Sequence, residues 1–153
     1  MQNTLIQRPK IQKIMEKDTA IKTLNEIKEH IIGIDLSDIC GEETEIFAQN
    51  IDDISIKRLI QAIQCGLVYW DDEENILVQK LIQPVQSGQI TATEFKYLKR
   101  LTINELDGIN VNNQIKSFIK MMSLVTARPT QIIEQMNGQD AEIAMGCMSF
   151  FAK

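Results

Sequence analysis

The chain has 153 residues, 44% of them hydrophobic and 24% charged, and a formal net charge of −5. That length suits one domain, or two very small ones sharing a core, and that apolar content excludes a disordered chain. The acidic balance, with lysines alternating with acids, argues against sequence-independent nucleic-acid binding, which needs a basic face to release counterions.

The first ten residues reach Arg8 and Lys10 with no apolar core behind them, so no signal peptide is expected. Ile31-Ile32 and Leu67 to Trp70, the longest apolar runs, are too short to cross a bilayer. Ile21, Leu24, Ile27, Ile31 and Ile32 recur at three-and-four spacing, which predicts an amphipathic helix over 19–32, capped by Asp18 and stopped by Gly33. A short element follows from Leu36 to Cys40, and Glu42 to Gln49 can add another turn or two. Asp52 or Asp53 then caps a helix carrying Ile56, Leu59, Ile60 and Ile63, ended by Gly66.

The middle of the chain changes character. Leu67 to Trp70 is rich in β-formers and runs into the acidic block Asp71 to Glu74. Ile76 to Pro84 and Ile90 to Leu98 flank the turn-type residues Gln86-Ser-Gly-Gln89, which predicts a β-hairpin with Thr91, Thr93, Phe95 and Tyr97 on one face. A competing helix over Asp72 to Gln83, stopped by Pro84, would use the acids in its first turn. The hairpin is the preferred reading. Lys96, Lys99 and Arg100 read as a solvated strand end.

Helices return in the last third. Thr102 and Glu105 have the spacing of a capping box for a short helix through Leu106, closed by Gly108. Asn112 or Asn113 caps a helix bearing Ile115, Phe118, Ile119, Met122 and Val125. Pro129 opens a helix with Ile132, Ile133 and Met136, Gly138 breaks it, and Asp140 caps a last helix lined by Ile143, Cys147, Phe150 and Phe151.

The expected fold is α+β and predominantly helical, with two similar small helical segments flanking a central β-hairpin. The division is 1–66, a helical segment, and 67–153, the hairpin with the second segment. Arg8 to Ile14 echoes Arg100 to Leu106, Thr23 to Ile32 echoes Lys116 to Val125, and Leu36 to Ile39 echoes Pro129 to Ile132. Asp52 with Ile56, Leu59, Ile60 and Ile63 likewise matches Asp140 with Ala144, Cys147, Met148 and Phe151.

Chemistry-bearing residues are sparse. The single histidine, His30, has no Cys or Ser–Asp pattern beside it from which to build a nucleophile and base. Cys40, Cys65 and Cys147 are scattered and odd in number, which suits buried reduced thiols better than disulfides or metal ligands. The run Asp71 to Glu74 lacks the alternation and glycine of a cation loop, and the solitary glycines build no phosphate loop. No enzyme, metal or cofactor is expected. The residues offered to a protein partner are Met145, Met148, Phe150 and Phe151 on the last helix, whose apolar surface exceeds one stripe, and Asp71 and Asp72 of the acidic block.

Lys80-Leu-Ile-Gln-Pro-Val-Gln-Ser-Gly-Gln89, followed by Glu94-Phe-Lys-Tyr-Leu-Lys-Arg-Leu-Thr-Ile-Asn-Glu-Leu-Asp-Gly-Ile109, resembles the opening of the small tail assembly chaperones of tailed phages. Ser123-Leu-Val-Thr-Ala-Arg-Pro129 is similar to their small-residue turn before a proline, and Asp140 with Phe150 and Phe151 to the capped helix that closes them. The resemblance covers about half the chain, from residue 76 to 153, and rests on patterns. The chain departs from it in carrying an extra helical N-terminal half, the candidate second copy without a hairpin. What the resemblance implies is a non-catalytic protein of the host cytoplasm that binds a tail component such as the tape measure protein. The alternative it implies is a permanent structural or adaptor subunit of a tail, baseplate or virion. Self-association stays open; neither nucleic acid nor membrane is expected as a partner.

Overall fold

A computed structural model describes residues 10–34, 36–40, 54–107 and 114–151. The expected element at Glu42 to Gln49, the caps at Asp52, Asp53, Asn112 and Asn113, and the stop at Gly108 lie outside the described residues.

Helix α1, Lys17–Ile32, buries Leu24 and Ile27 of the expected stripe, with Ile21, Ile31 and Ile32 packed against the core edge. It starts earlier than the sequence suggests. Glu16 holds the cap position without a side-chain bond, and Asp18 sits in the first turn, where a carboxylate favours the helix dipole. The Gly33 N–H ends the helix by bonding to the Glu29 carbonyl at 2.9 Å. Helix α2 is the short Leu36–Cys40. Helix α3, Ile54–Gln64, buries Leu59, Ile60, Ala62 and Ile63. It ends in a Schellman motif: Leu67 N–H reaches the Ala62 carbonyl at 2.8 Å and Gly66 N–H the Ile63 carbonyl at 3.0 Å. Gly66 supplies the required left-handed conformation, at φ 72°.

The expected two-stranded hairpin is part of a three-stranded antiparallel sheet, β1 Val68–Asp71, β2 Ile76–Ser87 and β3 Ile90–Tyr97, in the order β1-β2-β3. The acidic block forms the β1–β2 turn. Asp71 Oδ1 accepts from the N–H groups of Glu73 and Glu74 at 2.9 and 3.1 Å, an Asx-turn. A carboxylate that terminates a strand this way disfavours the competing helix at its start.

Register places Val68, Gln79 and Phe95 side by side, then Trp70, Leu77 and Tyr97, on the face that meets the helices. The pairing slips between Lys80 and Val85, where residues 81–84 of β2 oppose Thr93 alone. Pro84, which has no N–H to offer a ladder, sits in this bulge. The bend moves the buried positions of β3, so Ala92, Phe95 and Tyr97 are inside while Thr91 and Thr93 are exposed. The expected single face of Thr91, Thr93, Phe95 and Tyr97 is therefore broken in two.

After β3, the Leu98 N–H bonds to the Val125 carbonyl and the Leu101 N–H to the Phe151 carbonyl, at 2.9 and 3.0 Å. The expected capping box opens helix α4, Ile103–Asp107. Glu105 N–H donates to Thr102 Oγ1 at 3.3 Å, and Thr102 N–H to Glu105 Oε1 at 3.0 Å. Helix α5, Gln114–Thr126, buries Met122 and Val125 but leaves Ile115 exposed. Helix α6, Thr130–Ile133, follows Pro129, which stands at the cap position rather than within the first turn.

Helix α7, Gly138–Phe151, differs from expectation at its start: Gly138 is its first residue and Asn137 its cap, accepting the Asp140 N–H at 2.9 Å. Helix α7 packs against α3, β2, α1 and α5. Gly146 makes the closest of these approaches possible. A Cβ there would lie 2.8 Å from the Ser55 carbonyl oxygen and 2.9 Å from Leu59 Cβ.

Candidate partner-binding groove

Residues 10–16 run along the surface before α1, held at the end of α3 by bonds from the Ile14 and Met15 N–H groups to the Gln64 carbonyl, at 2.7 and 3.3 Å. This strap walls a groove of about 370 Å³. Ala62, Leu67, Ile82 and Ile143 supply its apolar lining, with Ile11 and Cys65 beside them. Lys13, Arg58, Gln61, Gln64 and Gln139 supply its polar groups. Four parts of the chain meet here: the strap, α3 with the turn that follows it, the bulge of β2 and the first turns of α7.

Arg58 is fixed across the α3–α7 junction. Its Nε donates to Glu142 Oε1 at 3.1 Å, and its terminal nitrogen to Gln61 Oε1 at 3.0 Å. Both partners of this ion pair are about a third exposed, so its contribution to stability is small, about 0–1 kcal/mol.

Asp140 anchors the wall formed by the bulge. Its carboxylate accepts the Ile82 N–H at 2.8 Å and the Gln83 N–H at 3.0 Å, two donors left unpaired where the register slips. Gln79, fully buried, donates from Nε2 to the Asp140 carbonyl at 3.0 Å and accepts the Tyr97 hydroxyl at 2.7 Å. Burial raises the Asp140 carboxyl above its ordinary range, although the Gln83 and Ile82 N–H groups oppose the shift. Burial likewise pushes the Tyr97 hydroxyl well up and the Cys147 thiol up to about 12. A thiol so poised stays protonated and inert at neutral pH. The cluster's chemistry is that of a structural clamp.

The remaining chemistry-bearing residues are dispersed. His30 stacks on Trp70, ring centroids 4.6 Å apart and nearly parallel, which pins the end of α1 to β1. Of the thiols expected to be buried, Cys147 is buried, Cys65 is intermediate and Cys40 is exposed on α2. Among the described residues, no three His, Cys, Asp or Glu side chains are grouped to hold a metal ion.

The residues expected to meet a partner are divided by the fold. Met148, Phe150 and Phe151 are each 4% exposed, enclosed because α7 is packed by neighbours on several sides; of the four residues only Met145, 41% exposed, reaches the surface. Both phenylalanines offered to a partner are thus enclosed within the chain's own core. Asp72 is exposed in the β1–β2 turn, and Asp71 is tied up as that turn's acceptor. Neither lines the groove. Sequence reading missed the groove because its residues come from four separated stretches, and its one local signal is Arg58, Gln61 and Gln64 at three-residue spacing on α3. Compared with protein families, curated proteins and solved structures, the chain matches none of them.

Proposed function

We propose that this chain is a non-catalytic binding protein of phage tail assembly, which covers an apolar stretch of a tail component such as the tape measure protein until that component is built in. The observation that carries the reading is the groove between strap, α3, β2 bulge and α7, with apolar residues inside and amide and cationic groups around them. That composition suits a segment of protein presenting a few aliphatic side chains. The resemblance of residues 76–153 to small tail assembly chaperones supplies the biological class. No helix among the described residues is long and apolar enough to cross a membrane, and the proposed location is the host cytoplasm.

Two related helical segments belong to the same reading. Among the described residues, helices α1, α2 and α3 and helices α5, α6 and α7 each run long, short, long, and α3 packs on its counterpart α7. The described part of the stretch that echoes α4, residues 10–14, contains no helix.

Co-expression with the tape measure protein of the same phage tests the function. A stable complex and a several-fold rise in soluble tape measure protein are expected, with the chain absent from purified particles. Retention in the particles at fixed stoichiometry would make it a permanent tail subunit. Failure to associate with any tail component would end the reading.

A further inference from the structure

A second, smaller hollow of about 170 Å³ adjoins the groove, shares Gln61 and Gln64 with it, and is lined besides by Lys17, Lys57 and Ile60. Across the two hollows the lining, among the described residues, includes four cations, Lys13, Lys17, Lys57 and Arg58, and no carboxylate. This local excess stands on a chain whose net charge is −5. The carboxylates paired to two of these cations, Glu16 with Lys13 and Glu142 with Arg58, are outside the lining. Both pairs are partly or largely exposed, so exchanging them for a partner's carboxylates costs little.

We propose that this strip along α3 docks an acidic amphipathic segment of a protein partner, its aliphatic side chains in the groove and its carboxylates against Lys13, Lys17, Lys57 and Arg58. The inference rests on the groove being the partner site of the proposed function, and it gives that partner a chemistry. It places the contact away from Asp71 and Asp72, the acidic residues of the β1–β2 turn that the sequence offers to a partner. The apolar lining of Ala62, Leu67, Ile82 and Ile143 favours protein over nucleic acid, whose backbone would find no use for it.

Two synthetic amphipathic helical peptides of equal length, with the same leucine stripe flanked by Glu in one and Lys in the other, provide the test. Each is titrated into the full-length chain labelled for NMR. The Glu peptide is expected to bind at least tenfold more tightly at low salt, to shift the Gln61, Gln64 and Gln139 side-chain amides, and to lose most of that advantage at high salt. Lys17→Gln with Lys57→Gln, both exposed and away from the core, should remove most of the preference while the melting temperature holds. Equal affinities, no shift at the groove amides, or tighter binding of a short DNA oligonucleotide than of either peptide would overturn the proposal. Peptide binding without tape measure association would leave the docking chemistry standing and move the partner elsewhere. The converse would place the tape measure contact on another surface and sink the docking chemistry.

Discussion

Asp140 is buried among backbone donors, and its raised carboxyl pKa gives stability a pH dependence of definite sign. A group that binds its proton more tightly when folded stabilises the fold fully below its ordinary value, near 3.9. That contribution is lost as pH rises through the elevated folded value. Relative to Asp140→Asn, the natural chain should therefore gain stability as pH falls from neutrality toward about 4, as read from urea unfolding at several pH values. Parallel pH profiles for the two proteins would show that Asp140 titrates as an ordinary carboxyl. Asp140→Ala should cost about 1–3 kcal/mol for each of the two N–H groups left without an acceptor. The sequence marks Asp140 as important and misassigns its role. An aspartate before an apolar helix reads as a cap, but its partners Ile82 and Gln83 lie 58 and 57 residues away, beyond local pattern. Asn137, in plain view, takes the cap instead.

At the scale of elements, legibility follows from how local each cause is. The Thr102–Glu105 box and the stop at Gly66 are set by neighbours within a few residues, and both take the form that the sequence suggests. The strand added to the hairpin, β1, depends on pairing Val68 with Gln79 across a turn, and the bulge depends on Asp140, so neither is written in one segment. Gly146 shows the same dependence. Within the sequence it is only a glycine inside a helix, worth about 1 kcal/mol less than alanine. In the fold it lets α7 settle on the Ser55 carbonyl and Leu59 of α3. Gly146→Ala should consequently destabilise, because a backbone oxygen 2.8 Å from the new methyl cannot swing aside. Overpacking of this kind costs about 1–3 kcal/mol, which outweighs the propensity gain. Chemical denaturation should show a lower midpoint; a higher one would mean that α3 and α7 separate freely.

Across the whole molecule, one core is assembled from both halves of the sequence, with Leu24 and Ile27 of α1, Leu59 and Ile63 of α3, Phe95 and Tyr97 of β3 and the inner residues of α7 in a single cluster. The apolar excess of α7, which the sequence could present only as surplus surface, is spent inside this cluster. The groove was illegible for the complementary reason: it is what remains where strap, α3, bulge and α7 fail to fill space. Adjacent residues on a helix point about 100° apart, and Phe150 and Phe151 can both be buried because α7 meets α3, α5 and the sheet on different sides. Phe151 stacks with Tyr97 at a centroid distance of 5.3 Å, and Phe150 has no contribution of that kind to lose among the described ring pairs. Each Phe→Ala substitution should cost about 3–5 kcal/mol, with Phe151→Ala the more damaging by the ~0.5–1.5 kcal/mol of an aromatic pair. Thermal and urea unfolding measure both. Partner association, assayed well below each variant's transition, should be unchanged, because neither ring lines the proposed docking groove. If one variant keeps its melting temperature and loses association, that phenylalanine faces outward in solution and α7 is an interface.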